Sequence, residues 1–271
     1  MDNYIFDSHV HSNNSFDATD SIEDICKYAI KKEINGFCIT DHLDVNEYND
    51  HMEKCIKKSY EEAICAKEKY KHKVSVRAGV ELGQPLQNLK IAEEVINKYN
   101  YDFIIGSMHN VKDEKDFYFM KEWDFTHRID ELLIKYYEEY YDMVRWGNFD
   151  VIGHITYPLR YIEGIFKIKI DMSKYNDIIY EMLRLASTSN IGIEVNVSGF
   201  RQSYGKQFPN LDHIKMYKKF GGEIITLGSD SHNKHDIGEN FKEGKEILLE
   251  AGFKHYCEFE NRNPKIINIK W

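Results

Sequence analysis

Short apolar runs alternate with longer amphipathic ones along almost the whole chain. Seven runs, at 4–8, 36–40, 74–80, 102–107, 150–154, 191–197 and 223–229, are apolar at successive positions, as expected of strands covered on both faces. Between them apolar residues recur at helical spacing. Ser21 and Asp24 make a capping pattern, after which Ile22, Ile25, Ala29 and Ile30 fall on one face. The same periodicity predicts helices over 50–70, 89–98, 128–146, 174–189, 211–220 and 238–251. In the stretch 128–146, Ile129, Leu132, Leu133, Tyr136, Tyr137 and Tyr140 form a stripe that reads as core or interface packing. Seven strand–helix units in strict alternation predict a parallel sheet.

The polar residues decide how that sheet is arranged. His9, Asp41, Glu81, His109, His154 and Asp230 each stand at or just past the C-terminal end of a predicted strand. Closing the sheet into a barrel brings those ends to one mouth, so six scattered residues would share one pocket. The expectation is an α/β, TIM-like barrel forming a single unit over 1–271, a length that suits one such barrel.

The types and spacings of these residues point to bound metal. Residues two apart on an extended segment face the same way, so His9 and His11 can grip one ion, with Asp7 available to orient a ligand ring. Thr40-Asp41-His42 ends the second strand, where Asp41 could instead cap backbone donors. Glu81 would be costly to bury unless paired or coordinating, and its carboxylate can bridge two cations. Asp230 and His232 repeat the two-residue spacing on the last strand, which neighbours the first in a closed barrel. Imidazole and carboxylate without cysteine suit zinc, manganese or iron better than calcium or magnesium. His51, His72, His127, His213, His235 and His255 fall outside this set and read as surface or structural.

Composition narrows the picture further. With 42% hydrophobic and 14% aromatic residues the chain can build a substantial core. A net charge of −9 argues against a protein that coats nucleic acid, but a small anionic substrate fits if metals reverse the local field. Five cysteines without a CxxC pair read as free thiols. With no signal-like N-terminus and no membrane-length apolar run, a cytoplasmic protein is expected.

The motifs Asp7-Ser8-His9-Val10-His11-Ser12, Thr40-Asp41-His42, Gly79-Val80-Glu81, Ser107-Met108-His109, Gly153-His154 and Gly228-Ser229-Asp230-Ser231-His232 occur in the order of the polymerase and histidinol phosphatase (PHP) superfamily, which the chain resembles over nearly its whole length. The segment from Glu194 to Arg201 resembles the histidinol-phosphatase branch. The resemblance implies a distorted (β/α)7 barrel with two or three divalent metals. His9, His11, Glu81 and Asp230 would hold the first ion, and Glu81, His109 and His154 the second. Asp17, His42 and His232 would hold the third, although many relatives carry histidine where Asp17 stands. Thr156 likewise departs from an aspartate common in relatives two residues after the His154 position, which bears on a hydrogen bond behind the ligand.

The activity implied is hydrolysis of L-histidinol phosphate in histidine biosynthesis. Two metals can activate water and clamp the attacking and departing oxygens, as a very slow uncatalysed reaction requires. Arg160 and Arg201 are the candidates to bind the phosphoryl group, with Arg160, Asp230 and His232 as catalytic candidates. Another small phosphomonoester, a phosphodiester as for an exonuclease, or amidohydrolase chemistry are the competing readings. Segments 110–127 and 156–173 follow metal-bearing strands and are long enough to cover the pocket.

Overall fold

A computed structural model of the protein describes residues 4–125 and 127–270. Residues 1–3, Thr126 and Trp271, which the expected unit over 1–271 includes, lie outside the described residues. The chain opens with β1 (Phe6–Val10) and α1 (Ile22–Lys31), whose cap Ser21 accepts from the Asp24 amide as its spacing predicts. Next come β2 (Gly36–Ile39), β3 (His42–Asp44), α2 (Asp50–Tyr70), β4 (Ser75–Gly83), α3 (Leu89–Lys98) and β5 (Phe103–Ser107). The middle of the chain forms α4 (Glu122–Phe125), α5 (Ile129–Trp146), β6 (Val151–Ile152), α6 (Asn176–Thr188) and β7 (Gly192–Asn196). It ends with α7 (Leu211–Lys219), β8 (Ile225–Gly228), α8 (Phe241–Glu250), β9 (His255–Glu260) and β10 (Asn263–Asn268).

The main sheet runs β1-β2-β4-β5-β6-β7-β8 with every neighbouring pair parallel. These are the seven expected units. β3 is the second strand resumed after a break at Thr40 and Asp41, because the nine-residue β4 pairs with β2 through Ser75–Ala78 and with β3 through Glu81–Gly83. β1 and β8 meet at a seam. There the Asp230 amide donates to the His9 carbonyl (2.8 Å) and the His11 amide to the Ser231 carbonyl (2.9 Å). The seam has little further backbone pairing, and the Asp7 carboxylate fills it, accepting from the Ser229 amide (2.9 Å), the Ser229 hydroxyl and the Gly238 amide (2.9 Å). The result is a distorted TIM-like barrel.

Outside the sheet the apolar helix faces pack as their periodicity predicts. Leu132, Leu133, Tyr136, Tyr137 and Tyr140 of α5 are all fully buried. Strand edges shift by a few residues: β1 starts at Phe6, opposite Gly36, and β6 keeps only two residues because the chain turns at His154, whose carbonyl accepts from the Tyr157 amide (2.7 Å).

The antiparallel hairpin β9–β10 has no counterpart among the expected elements. Its two-residue turn puts Asn261 and Arg262 both at positive φ (51° and 62°), a geometry that glycine usually announces. The hairpin seals the N-terminal end of the barrel. Tyr256 donates to the Tyr4 carbonyl (3.1 Å), and Arg262 Nε donates to Asp150 (2.6 Å). Among the described residues, no helix is long and apolar enough to cross a membrane.

Candidate metal centre

Glu81 is the hub. It lies beside His42 in the β3–β4 register and is 1% exposed. Its Oε1 is 2.8 Å from His154 Nε2 and 3.1 Å from His109 Nε2. Its Oε2 is 2.9 Å from His42 Nδ1, 3.4 Å from His9 Nε2 and 3.5 Å from His11 Nε2. Asp230 Oδ1 approaches His11 Nε2 (3.4 Å), His232 Nδ1 (3.5 Å) and His9 Nε2 (3.8 Å). Asp17 closes the outer side, 3.2 Å from His232 Nε2 and 3.6 Å from His42 Nε2. The structure therefore brings all nine expected ligands to one mouth. Donor atoms close enough to share an ion form three sets: His9, His11 and Asp230; His42, Glu81 and His109; and His11, His42 and His232.

Hydrogen bonds behind the rings settle which nitrogens face inward. His9 Nδ1 lies 2.7 Å from Glu194 Oε1, and His109 Nδ1 lies 2.9 Å from Asp44 Oδ1. Each carboxylate accepts from Nδ1–H, which in the neutral ring leaves Nε2 with its lone pair facing inward. His11 Nδ1 lies 3.2 Å from Ser15 Oγ, which in turn donates to Asp41 (2.7 Å). Asp41 also accepts from Ser12 and Ser59, so it anchors the loop after β1. Asp7 does not orient a ligand ring. Its carboxylate accepts from the His9 backbone amide and is otherwise committed to the seam, while Glu194 holds the ring.

The donors fit a cation better than they fit one another. The Nε2 atoms of His9 and His11 face each other at 3.0 Å, and those of His109 and His154 at 3.4 Å, with no proton left to share when Nδ1 carries it. His42 Nδ1 and Glu81 Oε2 are 2.9 Å apart and Asp17 Oδ1 is 3.6 Å from His42 Nε2, yet none of these three buried atoms makes a well-directed hydrogen bond. Burial opposes charge on His9, but Glu194, Glu81 and Asp230 outweigh it and raise its pKa well above the usual range. Burial likewise opposes charge on His109, which Glu81 and Asp44 push up to about 10. His11 goes the other way, lowered to about 3 by burial and by the neighbouring His232 and His42. The carboxylates thus demand positive charge in a place that protons fill only unevenly, a demand divalent ions meet directly.

The centre opens into a cavity of about 200 Å³. Both long segments reach it, the first through Asp116 and Tyr118, the second through Tyr157, Arg160 and Tyr161. Arg160 lies against the Tyr161 ring (5.4 Å to its centroid), and no carboxylate among the described residues forms an ion pair with it. Arg201 does not line the cavity. Its Nη2 donates to the Ser229 carbonyl (2.7 Å), its Nε is 3.5 Å from Asp236, and its Nη1 is buried without a partner. Thr156 Oγ1 and His154 Nδ1 are also buried without partners, so the threonine supplies no hydrogen bond behind that ring.

The PHP domain family matches residues 7–198 of the chain. The chain belongs to the PHP domain family. Within it, the chain falls in the histidinol-phosphatase branch. It is similar to the histidinol-phosphatase of Lactococcus lactis, 26% identical over 96% of this chain and 98% of that one. It is also similar to a probable histidinol-phosphatase of Clostridium acetobutylicum, 29% identical over 96% and 99% of the two chains. Among solved PHP structures, the L. lactis histidinol phosphate phosphatase, complexed with zinc, L-histidinol and phosphate, superposes with a TM-score of 0.82 at 24% identity, covering 96% of this chain and 98% of that one. A putative histidinol phosphatase from Listeria monocytogenes superposes with a TM-score of 0.76 at 17% identity, covering 88% and 99%. These likenesses fix the PHP fold of the chain.

Proposed function

We propose that this chain is a metal-dependent phosphomonoesterase that hydrolyses L-histidinol phosphate to L-histidinol and phosphate, acting as one unit over 1–271 in the cytoplasm. The observation that carries the metal chemistry is the set of inward-facing imidazole nitrogens around Glu81, whose lone pairs oppose one another. The substrate rests on relatives of that name aligned over nearly the full chain. His9, His11, Glu81 and Asp230 suit one divalent ion; Glu81, His109 and His154 a second; Asp17, His42 and His232 a third. Zinc, manganese or iron would match these donors. When bound, such ions supply Lewis-acid charge to phosphoryl oxygens and lower the pKa of a water.

The chain's own residues do the rest. Arg160, with its guanidinium free at the cavity, binds phosphoryl oxygens through its planar donor fork. Arg201, which does not line the cavity, supports the site from behind by fixing the Ser229–Asp230 turn through its bond to the Ser229 carbonyl. Asp230 and His232, 3.5 Å apart, form the path by which a proton reaches the departing alkoxide.

The test is an assay of the purified protein with added Mn²⁺ or Zn²⁺ against L-histidinol phosphate, other phosphomonoesters, a phosphodiester and an amide panel. Metal-dependent phosphate release from L-histidinol phosphate is expected. Release from other monoesters alone would overturn the substrate, and no release from any monoester would overturn the phosphatase reading.

A further inference from the structure

The tyrosine stripe on α5 packs into the core, a task that phenylalanine would serve as well. Tyr137 behaves in just that way, for its buried hydroxyl has no hydrogen-bond partner among the described residues. Tyr140 differs. It is fully buried, and its hydroxyl donates to the Gly153 carbonyl (2.9 Å), directly before the ligand His154.

His154 needs such support more than its neighbours do. The rings of His9, His11 and His109 each have a partner at Nδ1, in Glu194, Ser15 and Asp44. His154 Nδ1 is buried without one, so no hydrogen bond behind the ring sets its aim. The strand beneath gives little help either. β6 has only two residues, and its pairing with β7 ends at Ile152. Gly153 then intervenes, because a Cβ there would lie 2.5 Å from Ser107 Oγ, and glycine is the least restrained backbone that can precede a ligand.

The peptide joining Gly153 to His154 is fixed from both sides instead. Tyr140 holds its carbonyl from α5, and Glu194 on β7 accepts from its N–H (2.9 Å). Both bonds act on one planar unit, so together they set the direction in which the His154 side chain leaves the backbone. We propose that Tyr140 is a positioning residue for the second ion: by holding the Gly153–His154 peptide, its hydroxyl aims the His154 ring at the side of the centre shared with Glu81 and His109. This rests on the metal-dependent reading above and adds to it a residue that touches neither ion nor substrate.

The experiment compares the parent with Tyr140→Phe, which removes only the hydroxyl, and with Tyr137→Phe, which removes one that bonds to nothing. Each protein is stripped of metal and titrated with Zn²⁺ against a chromophoric chelator, with thermal melts of the metal-free forms alongside. Tyr140→Phe should bind one class of ion roughly 10-fold more weakly and the rest with the parent's affinity. Tyr137→Phe should match the parent throughout. A hydroxyl that served stability alone would lower the melting temperature and leave affinity unchanged. That result, an equal weakening of every ion, or the same loss in Tyr137→Phe overturns the proposal. Should Tyr140→Phe not fold in dilute buffer, all three proteins are compared in concentrated sucrose, which favours the compact state, under the same criteria. A parent that binds no Zn²⁺ overturns the metal-dependent reading and this one with it; a parent and a Tyr140→Phe variant that bind it equally overturn only this one.

Discussion

Glu194 holds the His9 ring with one oxygen, while its other accepts from the His154 amide (2.9 Å) and Asn196 (3.2 Å). One buried side chain therefore sets the aim of two ligands. Glu194→Gln can keep the contacts to His154 and Asn196 only by presenting an oxygen there, which turns its NH2 group toward His9 Nδ1–H. Metal affinity should fall about 10- to 100-fold, read by chelator competition, with secondary structure unchanged. Affinity equal to the parent's would remove Glu194 from this role. Arg160→Ala tests the phosphate end: kcat/KM for L-histidinol phosphate should fall roughly 10²- to 10³-fold at unchanged metal content. Unchanged kinetics would sink the assignment.

At the scale of the elements, α7 contributes a pH dependence. His213 is 2% exposed, with Nδ1 unpartnered, and burial lowers its pKa to about 4 against a weak opposing pull from Asp212. The folded ring is neutral, so its contribution is present above the ordinary imidazole pKa of 6.5 and is lost as pH falls towards 4. The full effect is on the order of 3 kcal/mol. Thermal melts of His213→Leu should show its stability relative to the parent rising as pH drops from 7 to 4; a constant difference would refute the idea. What was legible in the sequence followed periodicity. The limits of α2 and α3 and the burial of the α5 stripe follow from apolar spacing alone. Eight of the nine expected ligands stood in motifs at strand ends, while Asp17 rested on the family resemblance alone. Glu194 and Asp44 were less visible, because a carboxylate inside a short strand names no partner until the sheet closes. The hairpin β9–β10 escaped for another reason: six residues a side around Asn261-Arg262 carry no glycine signal.

The whole molecule has two dissimilar ends. The C-terminal mouth concentrates charge for chemistry, and the hairpin closes the other end with a partly buried ion pair. Burial raises the Asp150 pKa to about 6, against the pull of Arg262. Its contribution to stability is thus present below the unfolded carboxylate pKa of about 4 and is lost as pH rises through about 6. Arg262→Ala removes the counter-charge, so it should cost about 2 kcal/mol at pH 8 and clearly less at pH 5 in denaturant titrations. Equal losses at the two pH values would show that Arg262 acts through packing alone.

The seam between β1 and β8 sets a timetable for making the centre. Asp230 and His232 leave the ribosome about 220 residues after His9 and His11, an interval of roughly 10–45 s at ordinary elongation rates. Until then the early histidines have no seam to lie against, since their carbonyl and amide partners are on residues not yet made. A nascent or prematurely terminated chain therefore cannot assemble the full ligand set. The donor set that includes Asp230 is complete only once β8 has been made and the seam has closed.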